Sequence, residues 1–364
     1  MGGPGSNVAR CASRPAPAPP HTPSAFTLVA VGDFGESAAG RNSEVAAALH
    51  GYLEATGTAP DAVLVLGDNF YPDGLIGADT RCAPWVSGVD PAAVRAQLKE
   101  VLGPYDFLRG RVPFWVIPGN HDYGCERLGG LANQVDLDRW QPDRPWRGTW
   151  QFVSGAPEVL YESPLVQLVA LDSEAMIEAD ASERARAAQQ LEDLLGNGKA
   201  RWRLVAAHHP LASNGEQDGA WFAGAALKAL YYPLHLFVFP PFLYGDEYVY
   251  EWGYARYRRR LADVFARHSV HLFLAGHDHT LQWLAPSHAG QPPVLISGSA
   301  ARCGPVRARE NTRFAASKNG FAVLRATPLA LEVEFVGTTA CACDDVCARP
   351  SAPGEWSVLY RAAL

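Results

Sequence analysis

Short apolar runs of four to eight residues recur along the chain, and several of them end at Gly, Asp, Asn or His. They are rich in Val, Leu and Phe, a composition typical of strands that are buried on both faces. Runs of this kind predict strands at residues 26–31, 62–66, 112–117, 165–171, 203–207, 270–275, 294–297, 321–326 and 331–336.

Helical patterns separate many of these runs, with apolar residues recurring every three or four positions. They predict helices over residues 43–55, 91–102, 182–195 and 255–268. Ser43 and Ser182 are placed as N-caps of two helices, and Pro91 suits the first turn of a third. Because strands and helices alternate early and strands dominate late, we predict an α/β fold with two sheets inside and helices outside.

The alternation breaks between residues 213 and 254, and the middle of this segment is long and apolar. Pro233, Pro240 and Pro241 argue against a membrane-spanning helix there. We interpret the segment as an inserted loop that packs against the domain or covers a site, since long loops inside a domain are often functional.

The domain organisation follows from these breaks. We expect a disordered Pro-, Gly- and Ala-rich leader at 1–25, a main domain at 26–340 and a Cys-containing extension at 341–364 packed on it. The leader has no apolar stretch, so no signal peptide is visible. Cys11 followed by a Pro-rich tether is typical of a lipid-anchored exported protein, and an exposed thiol is the simpler interpretation.

Composition narrows the class of protein. Apolar residues make up 48% and charged residues 19%, which is ordinary for a globular chain. The formal charge of -7 provides no basic surface for a nucleic-acid backbone, so nucleic acid is disfavoured as a structural partner.

The chain has seven cysteines, and six remain when Cys11 is set aside. An even number favours disulfides in an oxidising compartment, and therefore export. The cluster at 341–347 has a second interpretation as a thiolate metal site that takes a fourth ligand from elsewhere. Cys82 and Cys125 either form a disulfide or remain separate thiols.

Polar residues with ligating atoms follow five of the predicted strands. They are Asp33; Asp68 and Tyr71; Asn120, His121 and Asp122; His208 and His209; and His277, Asp278 and His279. Taken singly, Asp33 suits a turn, Asp122 a helix cap and His208 a hydrogen-bonded core position. Repetition at five strand ends, in a chain with 11 histidines, favours one shared site.

The pair His277 and His279 is the most specific local signal. In an extended segment the two side chains point the same way and stand roughly 7 Å apart. Two metal ions about 3.5 to 4 Å apart could each take one of these imidazoles. An extended conformation here therefore favours a dinuclear site.

Five motifs occur in order along the chain. They are Asp33-x-Gly35, Gly67-Asp68-x-x-Tyr71, Gly119-Asn120-His121-Asp122, Val205-x-x-His208 and Gly276-His277-x-His279. In this order they resemble the calcineurin-like metallophosphoesterases, and Tyr71 makes the chain similar to purple acid phosphatases of the small, tartrate-resistant type. The resemblance spans residues 26–336 and implies a four-layer α-β-β-α sandwich of two mixed sheets flanked by helices.

The resemblance also implies the metal ligands. Asp33, Tyr71 and His279 would hold Fe(III), and Asp68 would bridge to the second ion. Asn120, His208 and His277 would complete the site of a divalent Fe, Zn or Mn ion. Carboxylate and phenolate oxygens suit Fe(III), whereas imidazole and amide groups suit a divalent ion, so the assignment is chemically sensible.

The activity implied is hydrolysis of phosphate monoesters by a hydroxide held between two metal ions, with an acidic to neutral optimum. His121 would donate a proton or bind the phosphate. Asp122 would orient His121 or cap the next turn, and His209 would supply positive charge or simply pack. Tyr123 stands where the family often has another His, so substrate choice stays open.

Two other functions remain in view. A phosphodiesterase is the nearer alternative, because the same scaffold supports both reactions. A non-catalytic metal-binding protein is disfavoured by the presence of all seven expected ligands. In either enzymatic case the partner is a small-molecule phosphate ester.

Overall fold

The computed structural model describes residues 24–36, 41–80, 82–141, 146, 148–153, 155, 157–215, 245–338 and 354–364, with the backbone alone at 245–252. Nearly all of the predicted leader, most of the predicted insertion at 213–254, and the cysteines at positions 11, 341, 343 and 347 lie outside these residues.

The described strands form two seven-stranded mixed sheets. The strands are β1 Phe26–Val31, β2 Ala62–Val65, β3 Phe114–Val116, β4 Trp150–Phe152, β5 Glu158–Glu162, β6 Val166–Ala170, β7 Trp202–Ala206, β8 Leu272–Ala275, β9 Leu281–Leu284, β10 Val294–Ser297, β11 Thr312–Ala316, β12 Gly320–Ala326, β13 Leu331–Thr338 and β14 Trp356–Ala363. One sheet has the order β14-β13-β12-β1-β2-β3-β4 and the other β11-β9-β10-β8-β7-β6-β5. In the first sheet β1 to β4 pair in parallel; in the second, β6, β7, β8 and β10 do.

The α-helices in the described part of the chain are α1 Arg41–Thr56, α2 Pro91–Leu102, α3 Asn120–Tyr123, α4 Ala132–Val135, α5 Ser173–Glu178, α6 Ala181–Asn197 and α7 Gly245–Arg267. Pro91 does occupy the first turn of α2. Both predicted serine caps are wrong. Ser43 lies inside α1, which begins two residues earlier, and α6 is capped by the Asp180 carboxylate, which accepts the Ser182 and Glu183 amides.

Alternation along β1 shows how the layers are built. Leu28 and Ala30 pack in the core between the two sheets, while Val29 and Val31 face outward against α1 and α2. On the far side, the outer face of the second sheet packs against α5, α6 and α7. The predicted four-layer α-β-β-α sandwich of two mixed sheets is therefore confirmed.

Cys82 and Cys125 form a disulfide, which joins the loop after β2 to the segment after α3. Cys303 is also disulfide-bonded. Among the described helices, none combines the length and the apolar character that a membrane crossing requires.

Candidate metal centre

The predicted ligands gather where strands of the two sheets end. Asp33 follows β1, Asp68 follows β2 and Asn120 begins the short helix after β3, all in one sheet. His208 follows β7, and His277 and His279 follow β8 in the other sheet. The carboxyl ends of parallel strands share one edge of a sheet, so each sheet delivers its polar groups to the same rim.

One group of side chains surrounds the Tyr71 hydroxyl. This hydroxyl donates to Asp68 Oδ2 at 2.9 Å and lies 3.3 Å from Asp33 Oδ1 and 3.2 Å from His279 Nε2. His279 Nε2 in turn lies 3.5 Å from Asp33 Oδ1. Two carboxylates, a phenol and an imidazole thus converge on one small volume.

A second group surrounds the Asn120 side-chain oxygen. His208 Nε2 lies 3.1 Å and His277 Nδ1 3.2 Å from Asn120 Oδ1, and the two ring nitrogens are 3.2 Å apart. His208 Nε2 is also 3.4 Å from Asp68 Oδ1. Asp68 therefore faces the first group with one oxygen and the second group with the other, as a bridging ligand would.

The backbone at three of these positions is unusual. In the described chain the non-glycine residues with positive φ are Asp33 at 57°, Asp68 at 53° and His277 at 68°. Residues other than glycine rarely adopt this left-handed region, and such strain concentrates at functional sites. At each of these three strand ends the turn is shaped to aim a polar side chain at the rim.

The buried carboxylates of the centre create a negative charge that suits the binding of cations. Asp33 and Asp68 are both buried, and burial raises the pKa of the Asp33 carboxyl. Burial would also raise the pKa of Asp68, but the neighbouring His208 lowers it below its usual range. Burial alone would lower the pKa of His208, yet Asp68 raises it to about 10. A buried carboxylate needs a nearby cation, here a proton on His208, and a metal ion fits the same donor set.

Further contacts orient the ligating atoms. His208 donates from Nδ1 to the Leu66 carbonyl at 2.7 Å, which directs Nε2 at the second group. Asp33 Oδ2 accepts the backbone amide of His277 at 2.9 Å and so ties the end of one sheet to the end of the other. Such contacts fix the tautomer and orientation of metal ligands.

His121 borders the open side of the centre. It is half-buried, its backbone amide donates to Asp68 Oδ1 at 3.0 Å, and its ring lies 4.5 Å from the Tyr71 ring. Its Nδ1 donates to the Pro72 carbonyl at 2.7 Å. This bond engages Nδ1 and leaves Nε2 as the other ring nitrogen.

Asp122 is buried behind His121 and bonds the turns around it. Its buried carboxylate accepts the amides of Gly119 at 2.8 Å and Asn69 at 3.0 Å, and also bonds the Gln134 side chain at 2.9 Å. In the described hydrogen bonds the His121 ring is oriented by Pro72, not by Asp122. Asp122 thus holds the two turns that carry the ligands, in agreement with the capping alternative of the sequence analysis.

His209 is buried next to the second group of ligating atoms. It is fully buried, its Nδ1 lies 2.8 Å from the Ser173 hydroxyl, and its Nε2 lies 3.6 Å from Glu174. A nitrogen of this ring also comes within 4.8 Å of those of His208 and His277. Burial and the neighbouring His277 hold the pKa of His209 well below its usual value. These contacts favour the packing alternative for His209, behind His277.

His277 and His279 do not lie in the extended segment on which the inference of a dinuclear site from their spacing is conditional. Residues 277–280 form bends, and the positive φ of His277 turns the chain. The rings still separate between the two groups, His277 through Nδ1 and His279 through Nε2. A turn, not alternation along a strand, distributes them.

Two contacts near the centre were not anticipated. Arg302, in the loop after β10, places its guanidinium carbon 4.7 Å from the centroid of the Tyr71 ring and pairs with Glu36. Tyr123, which replaces the family's common His, donates its hydroxyl to Asp172, the N-cap of α5. Neither contact has a sequence signal, because the partners are far apart in the chain.

With this geometry established, comparison with known proteins identifies the class. A model of the calcineurin-like phosphoesterase family matches residues 26–281. The match covers more than half of the chain, and the chain therefore belongs to the calcineurin-like phosphoesterase family. Fold and family together define a metal-dependent phosphoesterase whose rim holds His and Asp groups suited to metal binding. No curated protein sequence gives a significant match.

Solved structures share the fold at low identity. A purple acid phosphatase, PPD1, from seeds of yellow lupin (Lupinus luteus) has a TM-score of 0.55 and 14% identity, over 88% of this chain and 52% of its own. PhoD has a TM-score of 0.56 and 11% identity, over 94% of this chain and 73% of PhoD. GAP50, the anchor in the inner membrane complex of Plasmodium, has a TM-score of 0.54 and 16% identity, over 89% and 88% of the two chains. At these identities the likeness shows the fold alone.

Proposed function

We propose that this protein is a dinuclear-metal acid phosphatase that hydrolyses phosphate monoesters. The observation that carries the proposal is the arrangement of two groups of ligating atoms around Asp68, which faces one group with each of its oxygens. Two metal ions sharing a carboxylate suit the attack of water on a phosphate ester.

The chemistry of each group indicates its ion. The group of Asp33, Tyr71 and His279 offers mainly hard anionic oxygens, which favour Fe(III). The group of Asn120, His208 and His277 offers imidazole nitrogens and an amide oxygen, which favour a divalent Fe, Zn or Mn ion. Asp68 would belong to both.

The residues around the centre have separable tasks in this reaction. When bound, the two ions lower the pKa of water and neutralise charge on the phosphate. Hydrolysis breaks the bond between phosphorus and the ester oxygen, and His121 Nε2 would give the leaving alkoxide its proton. The products are an alcohol and inorganic phosphate. The bond from His121 Nδ1 to the Pro72 carbonyl holds the ring for this transfer.

We propose that the protein is exported from the cytoplasm. The Cys82–Cys125 disulfide and the bonded state of Cys303 support an oxidising environment. Attachment to a membrane through Cys11 stays a prediction from the sequence.

The decisive experiment compares hydrolysis of p-nitrophenyl phosphate and bis-p-nitrophenyl phosphate from pH 4 to 9, on protein whose metal content has been counted. We expect a monoester preference that is strongest at acidic pH. A diester preference would replace the proposal with a phosphodiesterase. If the protein with two metals bound hydrolysed neither ester, a non-catalytic role would be favoured, such as the anchoring stated for GAP50.

The ferric assignment has a separate test in Tyr71→Phe. If Tyr71 is a phenolate ligand of Fe(III), the wild-type protein absorbs visible light and the variant loses that band, measured by absorption spectroscopy at matched iron content. Tyr105→Phe is the control, because Tyr105 is also a buried phenol and its described ring contacts are with Phe34 and Phe114, not with a predicted ligand. A colourless wild-type protein with full iron content would exclude the ferric phenolate.

A further inference from the structure

Arg302 and Glu36 form an ion pair at the edge of the metal centre. Arg302 Nη2 donates to Glu36 Oε1 at 2.8 Å, and Arg302 Nε donates to Glu36 Oε2. The guanidinium carbon of Arg302 lies 4.7 Å from the centroid of the Tyr71 ring. The hydroxyl of Tyr71 contacts Asp33 and Asp68. The ring of Tyr71, itself a predicted ligand, thus lies between the Arg302 guanidinium and the carboxylates of Asp33 and Asp68.

The pair leaves part of the guanidinium available. Glu36 engages Nε and Nη2, and no hydrogen bond within the described residues engages Nη1 of Arg302. The side chain of Arg302 is 41% exposed and that of Glu36 is 26% exposed. A planar guanidinium held along one edge by a carboxylate is oriented to offer its other edge to an anion.

Arg302 stacks on the Tyr71 ring, next to the half-buried ligands of the centre. Asp33, Asp68, Tyr71 and His208 are buried, so a substrate cannot approach across them. Among the residues of the metal centre, the half-buried ones are Asn120, His121, His277 and His279. Arg302 is also half-buried and adjoins Tyr71, whose hydroxyl contacts His279. A phosphate bound on this side has Arg302 as a neighbour.

Counting phosphate oxygens shows what such a cation could select. A phosphate diester has two non-bridging oxygens, and two metal ions can neutralise both. A monoester has a third, which needs its own positive or hydrogen-bonding partner. Guanidinium is well suited to phosphate oxygens because its donors match their geometry.

We propose that Arg302 binds the third non-bridging oxygen of a phosphate monoester, with Glu36 as its positioning residue, and so favours monoesters over diesters. This inference rests on the proposed phosphatase function. It gives the centre a specificity-determining cation outside the five sequence motifs.

The test uses metal-loaded full-length protein with Arg302→Gln, Arg302→Lys and Glu36→Gln. The reference variant is Arg361→Gln, because Arg361 also pairs with a glutamate, Glu334, but on β13 and β14. For each protein we measure kcat/KM on p-nitrophenyl phosphate and bis-p-nitrophenyl phosphate, inhibition by inorganic phosphate, and metal content.

Arg302→Gln should lower kcat/KM for the monoester by about tenfold to a hundredfold, as expected for a lost hydrogen bond between charged groups, and should weaken phosphate inhibition in parallel. The diester value should change by less than about threefold. For Arg302→Lys the monoester kcat/KM should lie between those of wild type and Arg302→Gln, since lysine keeps the charge but lacks the planar pair of guanidinium donors. Arg361→Gln should have the wild-type values for both esters. Glu36→Gln should raise KM for the monoester while largely preserving kcat.

The inference would be overturned if Arg302→Gln lowered kcat/KM equally for both esters, or lowered it for neither. It would also be overturned if Arg302→Gln lost metal, because Arg302 would then only support the ligand Tyr71. The wild-type arm tests the proposed function separately. If wild type prefers diesters, both proposals fail. If wild type hydrolyses neither ester, calorimetric binding of inorganic phosphate decides, and equal affinity in wild type and Arg302→Gln refutes the inference.

Discussion

At the scale of single residues, the buried carboxylates Asp33 and Asp68 are the groups around which the centre is built. An ionised carboxylate without water must have a cation or strong donors beside it. Asp68 has the Tyr71 hydroxyl, the His121 amide and His208 around it. Protons on these groups stabilise the buried carboxylate in the absence of metal ions. Binding of metal and release of protons must therefore be coupled.

This coupling gives a prediction for pH. The pKa of His208 in the metal-free protein is raised to about 10 by Asp68, so His208 carries a proton below that pH. A divalent ion must displace this proton, and its affinity should therefore rise with pH between 6 and 8, by about tenfold per pH unit for each proton released. Titration calorimetry of metal-free protein with Zn²⁺, in buffers of different ionisation heat, counts the protons.

His208→Ala should release one proton fewer and bind Zn²⁺ more weakly. His288→Ala is the matched control, since this histidine is exposed and lies in the loop between β9 and β10. Zinc affinity that is independent of pH would contradict the prediction.

At the scale of secondary-structure elements, the turns after the strands determine where the ligands lie. Gly119 precedes Asn120 and α3, and a methyl group added to it would collide with the Asp68 carboxylate and lie 2.9 Å from His208 Cε1. The Gly119 amide also donates to Asp122 at 2.8 Å. The backbone of one turn thus packs directly against ligands from two other strands, which leaves no space for a side chain.

We predict that Gly119→Ala displaces Asp68 and lowers metal affinity by about tenfold or more, while the protein stays folded, because overpacking of this kind costs about 1–3 kcal/mol. Gly103→Ala is the control, since Gly103 has a helical φ of -54° and open space around its Cα. Metal content by mass spectrometry and circular dichroism measure the two outcomes. Full metal content in Gly119→Ala would show that the turn tolerates a side chain.

The predictable elements are those with a strong local pattern. Buried runs such as 26–31 and 294–297 coincide with β1 and β10, and residues 91–102 coincide with α2. The pattern missed β4, β5, β9, β11 and β14. β4 has three residues, and β9 begins two residues after His279. β5, β11 and β14 are only partly buried edge strands, so none of the five shows a long apolar run.

The same limit applies to the site. Ordered motifs predicted seven ligands that the structure brings together, because each motif is local to one strand end. The position of Arg302 depends on Tyr71 and Glu36, which are 231 and 266 residues away in the sequence. The bend at His277 also depends on long-range contacts, since its amide bonds Asp33 from the other sheet. Contacts of this range have no periodicity that a sequence pattern can report.

At the scale of the whole molecule, the centre lies across the junction of the two sheets. Asp33, Asp68 and Asn120 come from one sheet, while His208 and His277 come from the other. Metal ions bound here would join the sheets at the rim, in addition to the apolar core that lies between them. Ligands that bind only the folded state stabilise it in proportion to their affinity and concentration.

Removing the metals should therefore lower the unfolding temperature of the whole domain. A metal present at about a thousand times its dissociation constant adds about 4 kcal/mol to the free energy of unfolding. We expect Asn120→Ala, from one sheet, and His208→Ala, from the other, to reduce this gain to a similar extent. Comparing each variant with and without metal cancels the cost of the substitution itself, and differential scanning calorimetry measures the gain. His288→Ala should keep the full gain. If metal stabilised the two ligand variants as much as wild type, the ions would not be joining the sheets through these side chains.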